Sequence, residues 1–291
     1  MQHPATFPQS GVPVPADGHM PNTFESVNLG DRALRYICRG EGSPTVVVDQ
    51  GMSIEHGSFA QPISVGWAKV FGEIQKTTRI CMHDRAGLGS SDKAATPRTS
   101  QDMVKDLRSL LRRAQIAPPY VLVGHSIGGC NVRLFANQNP EEVLGMVLVD
   151  SSHPNQWQRF AEFLPPESPN ELPILRTLPH GTDPSFLSDG IDIRASAEQV
   201  RATHTLGTKP LVVLTQSPRA LRPPGLPPDI SDKMRIAWAE LQVDLLNLSA
   251  NGSHVIASHA GHLIQLDEPQ LVIDAILKVV HEARAKRPYV H

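Results

Sequence analysis

The stretch YVLVGHSIGGCNVRLFA, residues 120–136, runs a short apolar segment directly into a serine flanked by glycines. Gly124, Ser126 and Gly128 match the pattern GxSxG, in which the serine occupies a tight turn between a strand and a helix. Small flanking residues are needed because the backbone doubles back closely at such a turn. The segments before and after the serine are typical of a strand and a helix, so the sequence favours a nucleophilic Ser126 over a serine in an ordinary turn.

The segments on either side of this turn alternate between apolar strands and amphipathic helices. Val46, Val47 and Val48 form an unbroken β-branched run, which is typical of a strand buried on both faces of a parallel sheet. Two early segments, ESVNLG and RALRYICRG, alternate in polarity and predict a hairpin at an antiparallel edge. The sequence therefore predicts an α/β fold with a mostly parallel, twisted, eight-stranded sheet and helices on both faces.

Composition along the chain divides it into three regions. Residues 1–21 are rich in proline and contain no apolar run, so we expect a flexible leader and no signal peptide. Residues 22–150 and 209–291 carry the strand and helix alternation and are expected to form the core. Residues 151–208 contain seven prolines and one clear helix start, which predicts a mainly helical cap inserted over the strand ends.

Charge and composition limit the partners that we expect. The chain has 29 acidic and 27 basic residues and a formal net charge of −2, without a block of like charges, so nucleic acid is not an expected partner. No stretch approaches the roughly 18 apolar residues of a membrane span, and we expect a cytoplasmic protein. Cys38, Cys81 and Cys130 lack metal-ligand spacing and are expected to be buried thiols in a reducing compartment. The oligomeric state is left open.

A serine hydroxyl is a poor nucleophile without a neighbouring base, and 13 histidines compete for that role. His262 follows the last predicted strand, lies in a loop of small residues and precedes the final helix. The chain order serine, acid, histidine of this architecture puts the base in that loop. His262 is therefore the predicted base, with His254 and His259 as alternatives. A metal site of these three histidines is disfavoured, because no carboxylate or thiolate accompanies them.

The acid that orients the imidazole should emerge from a strand end near His262. Directly after the strand PLVVLT the sequence offers no carboxylate, whereas the preceding strand, GMVLV, is followed at once by Asp150. Asp150 is therefore the predicted acid. The alternatives are Asp229, Asp232 and Asp244, or a structural role for Asp150 as the cap of the next turn.

An oxyanion pocket needs backbone N–H groups, one from the residue after the nucleophile and one from the loop after the third strand. Ile127 follows Ser126 and supplies the first donor. The loop reads DQGMS, and Gly51 allows close approach of the backbone. The N–H of Met52 is therefore the predicted second donor, and an ordinary glycine turn is the alternative.

Five motifs taken in order, VVVDQGM, HDRAGLGSSD, VGHSIGG, VLVDSSHP and GHLIQLDEP, resemble those of the α/β-hydrolase fold superfamily over nearly all of the chain after the leader. The resemblance implies a triad of Ser126, His262 and an acid, a cap over the site, and no cofactor. The chain departs from the family pattern at Gln50, where many members have histidine, and in the position of the acid. Some members, including the haloalkane dehalogenases, carry the acid one strand earlier, where Asp150 stands.

The resemblance also bears on the reaction. Members that act as dehalogenases or epoxide hydrolases use an aspartate nucleophile, and Ser126 stands in that position here. We therefore expect a serine hydrolase that cleaves a carboxylic ester through an acyl-enzyme. Amide, thioester or carbon–carbon bond hydrolysis by the same triad, or a non-catalytic ligand-binding receptor, are the alternatives.

Two further expectations concern the surroundings of the site. Asp84 and Arg85 in HDRAGLGSSD are expected to form a structural pair that fixes their loop. A small apolar or aromatic ester is the expected substrate, because apolar residues of the cap would line a hydrophobic pocket, although each of them has core packing as an equal alternative. These residues are Trp157, Phe160, Phe163, Leu164 and Phe186.

Overall fold

The computed structural model describes residues 24–52, 63–164, 190–203, 205–219 and 226–285, and the predicted leader lies outside them. The described residues form a single eight-stranded sheet. Helices cover it on both faces, because the buried side chains of the sheet fall into two clusters that each include helix residues. The predicted α/β fold is therefore confirmed.

The order of the strands across the sheet is β1-β2-β4-β3-β5-β6-β7-β8. The pairs β1–β2 and β2–β4 are antiparallel, and the remaining pairs are parallel. The antiparallel edge is thus where the sequence predicts it. The strands are β1 Glu25–Asn28, β2 Ala33–Arg39, β3 Thr45–Asp49, β4 Ile80–His83, β5 Tyr120–His125, β6 Val143–Val149, β7 Leu211–Thr215 and β8 Gly252–Ile256.

The helices of the described residues lie on the two faces of the sheet and beside its carboxyl edge. Side chains of α1 and α8 pack on one face, and those of α2, α3 and α5 pack on the other. None of these described helices is both long enough and apolar enough to cross a membrane. They are α1 Ile63–Ile74, α2 Ser100–Arg113, α3 Gly128–Gln138, α4 Gln156–Ala161, α5 Ile193–Arg201, α6 Pro228–Asp244, α7 Ile264–Asp267 and α8 Pro269–Ala285, with a 3₁₀ helix at Leu245–Leu248.

Strand β3 explains why an unbroken valine run suits the centre of this sheet. Val46 and Val48 belong to the buried cluster that includes Trp67 of α1, and Val47 belongs to the opposite cluster with Leu107 of α2. Successive side chains of a strand alternate between the two faces, and both faces are covered. Apolar side chains therefore suit all three valine positions of this strand.

The predicted cap is described only in part. Helices α4 and α5 belong to it, whereas residues 165–189 and 204, including Phe186, lie outside the described residues. Helix α4 packs against α6 at the carboxyl edge of the sheet through an apolar cluster that includes Phe160 and Trp238. The boundaries of the cap stay a prediction.

Cys38 and Cys81 are not free thiols. They lie opposite each other on β2 and β4 and form a disulfide, whereas Cys130 is a buried free thiol. The prediction of three thiols is therefore wrong for two of them, because spacing along the chain does not reveal which strands become neighbours. The cysteines consequently give no argument for a reducing compartment.

Candidate active site

Ser126 occupies a strained turn between β5 and α3. Its φ of 52° lies in the left-handed region, which residues other than glycine seldom adopt. A Cβ on Gly124 would lie 2.5 Å from the Cα of Gly129, and one on Gly128 would lie 2.2 Å from the carbonyl oxygen of Asp49. Both distances are shorter than a real Cβ contact. The turn therefore requires glycine on both sides of the serine, as the GxSxG pattern predicts.

The imidazole of His262 lies beside this turn. Its Nδ1 donates a hydrogen bond to Oδ2 of Asp150 at 2.6 Å, because a carboxylate can only accept. The backbone carbonyl of His262 accepts a hydrogen bond from Nε2 of His125, the residue before Ser126, at 2.9 Å. The centroids of the two imidazole rings are 4.7 Å apart. With Nδ1 as the donor, Nε2 of a neutral His262 carries the lone pair that a general base needs.

His125 is held in its neutral form. Burial and, less strongly, the nearby His262 ring lower the pKa of its imidazole to about 3. Since a carbonyl oxygen accepts, the single proton of this ring lies on Nε2 and is donated to His262. His125 thus joins the turn that carries Ser126 to the loop that carries His262.

Asp150 follows β6 and is completely buried. Its Oδ1 accepts hydrogen bonds from the backbone N–H of Gln216 at 3.0 Å and from the indole N–H of Trp238 at 2.9 Å. Its Oδ2 accepts from His262. A buried carboxylate needs such partners, because burial removes the water that would otherwise solvate it. Three donors therefore hold this carboxylate in a fixed orientation against the imidazole.

The alternative acids lie elsewhere and have other partners. Asp229 and Asp232 are on α6, more than half exposed, and form ion pairs with lysine and arginine side chains of the same helix. Asp244, at the end of α6, contacts Nε2 of His153 at 3.0 Å. Of the four candidate carboxylates, Asp150 is the one that the structure brings to His262.

The alternative bases also have separate partners. Nε2 of His254 is 2.7 Å from Oγ1 of Thr215, and Nδ1 of His259 is 2.9 Å from Oγ of Ser258. The three histidines of the disfavoured metal site thus contact three different partners. Within the described ranges, no group of three or more histidine, cysteine, aspartate or glutamate side chains is placed to hold a metal ion.

The loop after β3 lies against the turn that carries Ser126. A Cβ on Gly51 would be 2.9 Å from Nδ1 of His125 and 3.2 Å from Cβ of Ser126, so glycine is needed for this close approach. Met52 follows and is partly buried, and Ile127 is buried next to Ser126. The structure thus brings the two segments with the predicted N–H donors together. Their role as donors stays a prediction.

Comparison with known proteins agrees with this fold. The family described as alpha/beta hydrolase fold matches residues 54–188. The solved structure of alpha/beta hydrolase domain-containing protein 10 from mouse is similar with a TM-score of 0.61, and the match covers 89% of this chain and 99% of that one at 17% sequence identity. The chain has the α/β-hydrolase fold.

Two further proteins are similar to this chain. The uncharacterized protein YqjL of Bacillus subtilis is 28% identical over 243 residues, which are 83% of this chain and 85% of YqjL. The structure of a thermophilic esterase from Thermogutta terrifontis is similar with a TM-score of 0.57 and 18% identity, over 90% of this chain and 99% of the esterase. At such identities the structural similarity concerns the fold alone.

Arg85 forms an ion pair outside the sequence expectation. Its Nη1 lies 2.7 Å from Oδ1 of Asp49, and both side chains are buried. Oδ1 of Asp84, the expected partner, lies 3.5 Å from Nε2 of Gln50. The ion pair with Asp49 is thus a partner of Arg85 that the sequence analysis did not include, and the Asp84–Arg85 pair stays a prediction. No local pattern indicates the ion pair with Asp49, because Asp49 lies 36 residues earlier, at the end of β3.

Sequence reasoning missed two groups that hold Asp150. Trp238 lies on α6, where a tryptophan in a helix is typical of core packing, so its N–H gave no functional signal. Gln216 follows β7, the commonest acid position of the superfamily, and contributes its backbone N–H in place of a carboxylate. Only the predicted nearness of that strand end to His262 could have suggested Gln216.

An apolar cluster borders the imidazole of this hydrolase. The ring of Trp238 is 6.4 Å from that of His262 and belongs to a cluster of residues from α4 and α6. Four of the five cap residues that were predicted to line a pocket are in this cluster. Its buried members are Phe160, Met234, Ala237 and Trp238, and Trp157, Phe163, Leu164, Leu226 and Ile230 pack against them.

Proposed function

We propose that this α/β hydrolase is a serine hydrolase that cleaves a carboxylic ester through an acyl-enzyme. The observation that carries the proposal is the 2.6 Å hydrogen bond between Nδ1 of His262 and Asp150, made by an imidazole that lies beside the Ser126 turn. A serine hydroxyl becomes a useful nucleophile when such an oriented base can take its proton.

In the first half of the reaction, Oγ of Ser126 attacks the carbonyl carbon of the ester while Nε2 of His262 takes the hydroxyl proton. The π electrons move to the carbonyl oxygen, and the N–H groups of Met52 and Ile127 stabilise this oxyanion. Asp150 stabilises the imidazolium. When the tetrahedral intermediate collapses, the C–O bond to the leaving group breaks, His262 protonates the alkoxide, and an alcohol departs.

In the second half, water attacks the acyl-enzyme and His262 takes one of its protons. The same N–H groups bind the second oxyanion. Collapse breaks the bond between the acyl carbon and Oγ of Ser126, and His262 returns the proton to the serine. The product is a carboxylic acid, and the hydrolase is ready for another cycle without a cofactor.

The apolar cluster of α4 and α6 supports an uncharged substrate with an apolar or aromatic group. Trp238 of this cluster lies with its ring 6.4 Å from that of His262, and a substrate group that leaves water beside it gains about 25 cal/mol for each Å² of apolar surface buried. A charged group would lose its hydration at the same place without a partner. We therefore expect esters with an alkyl or aromatic group to be hydrolysed faster than charged esters.

A fluorophosphonate probe tests this function on the full chain. The wild-type protein should be labelled, with the adduct located on Ser126 by peptide mass spectrometry, and Ser126→Ala should abolish both labelling and hydrolysis of a chromogenic short-chain ester. Ser253→Ala is the matched control, because Ser253 lies on β8 away from the turn, and it should keep both.

Two results would contradict the proposal. A folded wild-type protein that is not labelled would favour a ligand-binding receptor. Labelling of Ser126 with turnover of amides, thioesters or diketones, and no turnover of esters, would keep the nucleophile and change the substrate class.

A further inference from the structure

One guanidinium binds two successive carbonyl groups of the loop that carries the predicted oxyanion donor. Arg85 follows β4, and its side chain is 2% exposed. Its Nη1 donates to the carbonyl oxygen of Gln50 at 2.5 Å, and its Nη2 donates to that of Gly51 at 2.8 Å. The planar guanidinium presents its donors at fixed angles, so both carbonyl groups are held on one side of the loop.

The guanidinium is itself anchored. Nη1 of Arg85 also donates to Oδ1 of Asp49 at 2.7 Å, and Asp49 is 1% exposed. Oδ2 of Asp49 accepts a hydrogen bond from Nδ2 of Asn131 at 3.2 Å, and Asn131 is on α3, the helix that begins directly after the nucleophile turn. The loop after β3 and the nucleophile turn therefore share one buried hydrogen-bond network.

Peptide geometry links this network to the predicted donor. The peptide bond between Gly51 and Met52 is trans, so its C=O and N–H groups point in opposite directions. Because Arg85 holds the carbonyl of Gly51, the N–H of Met52 points away from the guanidinium. The charged donor also polarises this peptide group, which makes its N–H a stronger hydrogen-bond donor.

We propose that Arg85 is a positioning residue of the oxyanion pocket: it fixes the Gly51–Met52 peptide so that the N–H of Met52 meets the oxyanion. Gly51 lies against Ser126, where a Cβ would be 3.2 Å from that of the serine, so the fixed peptide is next to the reacting atoms. The inference rests on the proposed function, because it needs a nucleophilic Ser126. It assigns Arg85 to the stabilisation of the transition state and not to substrate binding.

Arg85→Lys and Arg85→Met test this role with two kinetic measurements. Removing one oxyanion donor typically costs about a hundredfold to a thousandfold in kcat. We expect Arg85→Met to lower kcat by about a hundredfold, and Arg85→Lys by about tenfold, because an ammonium group keeps the charge and loses the planar fork. The KM of the same ester should change by less than about threefold, because the substitution removes an interaction made in the transition state and leaves the contacts with the bound substrate in place.

Inhibition by an aryl trifluoromethyl ketone is a measurement that would not change if Arg85 had a purely structural role. Oγ of Ser126 adds to the carbonyl carbon of the ketone, the serine proton passes to His262, and the adduct is a hemiketal whose oxyanion occupies the pocket. The inhibition constant should rise in parallel with the loss of kcat in both variants. The binding of an unreactive ketone of similar shape should stay constant.

Arg98→Lys and Arg98→Met are the matched controls. Arg98 is another buried arginine, with Nη2 2.6 Å from Asp106, and its partners are not in the loop after β3. Both control variants should lower the free energy of unfolding, as the Arg85 variants do. Their kcat and their inhibition constant for the ketone should stay within about twofold of the wild-type values, because kcat and ketone binding depend on the oxyanion pocket.

The outcomes separate this inference from the proposed function. One result would overturn the inference and leave the proposed function standing. The wild type would hydrolyse esters, and Arg85→Lys, together with Arg85→Met if that variant folds, would keep the kcat and the ketone affinity of the wild type. If the Arg98 variants lose kcat as much as the Arg85 variants, loss of a buried charge explains the effect and the inference is again overturned. A wild type without labelling at Ser126 overturns both.

Discussion

The imidazole of His125 is buried, and its ring lies 4.7 Å from that of the proposed catalytic base, His262. The His125 pKa of about 3 in the folded protein lies below the value of roughly 6.5 that an unfolded histidine has. As the pH falls, the unfolded chain therefore takes up a proton at this residue before the folded protein does. The stability that depends on a neutral His125 is fully present above about pH 6.5 and is lost as the pH falls toward 3.

His125→Gln should make stability less dependent on pH, because glutamine does not titrate and still offers an N–H donor. Between about pH 7.5 and pH 5, the wild type should lose about 2 kcal/mol more free energy of unfolding than the variant does. Urea unfolding at the two pH values, followed by tryptophan fluorescence, measures this difference. His281→Gln, an exposed position on α8, is the control. Equal losses in wild type and His125→Gln would contradict the buried, neutral state of His125.

Residues of the candidate site were predictable from the sequence where they directly follow a predicted strand and occur in the chain order serine, acid, histidine. Ser126, Asp150 and His262 all do so, and the sequence alone named them. Trp238 was not predictable, because its hydrogen bond to Asp150 joins residues 88 positions apart and no motif surrounds it. Pairing of Arg85 with Asp49 was missed for the same reason, since local sequence showed only the neighbouring Asp84.

Helix α3 depends on a glycine that faces another segment of backbone. Gly128 begins this helix, and a Cβ there would lie 2.2 Å from the carbonyl oxygen of Asp49, which cannot move without disturbing β3. Gly72 lies in helix α1 and has open space within 4 Å of the Cβ position. Both glycines are helical, but a side chain at position 128 would clash with backbone, whereas position 72 has room for one.

Gly128→Ala and Gly72→Ala should shift stability in opposite directions. We expect Gly128→Ala to lower the free energy of unfolding by about 2 kcal/mol or more, as overpacking does. Gly72→Ala should raise it by about 0.5–1 kcal/mol, because alanine costs less backbone entropy in a helix. Chemical unfolding of both variants measures the two changes. A stability of Gly128→Ala equal to that of the wild type would refute the close contact between α3 and β3.

Elements differed in how well the sequence predicted them. The buried strands were clear, because a sheet covered on both faces favours unbroken apolar runs such as Val46 to Val48. The contact between Cys38 and Cys81 was not predictable, since β4 follows β3 in the chain but lies between β2 and β3 in the sheet. Helix α6 follows a proline-rich tract, and its placement over Asp150 depends on tertiary packing with α4.

The whole molecule brings together groups from four separate strand ends. Gly51 follows β3, Ser126 follows β5, Asp150 follows β6, and His262 follows β8. These strands are parallel, so their carboxyl ends meet at one edge of the sheet, where ligands bind in open α/β folds. The sequence could predict this meeting from topology. It could not predict how the acid is held, because β7 lies between β6 and β8 and contributes a backbone N–H.

The central claim is that Asp150 orients His262 so that it can activate Ser126. In Asp150→Asn the amide group would donate to Nδ1 of His262, which places the ring proton on Nε2 and removes the lone pair that the serine proton needs. Comparison of kcat for Asp150→Asn and Asp229→Asn on a chromogenic short-chain ester tests this most directly. We predict a loss of about a thousandfold or more for Asp150→Asn and a change of less than about twofold for Asp229→Asn. Similar, small losses in both folded variants would contradict the account.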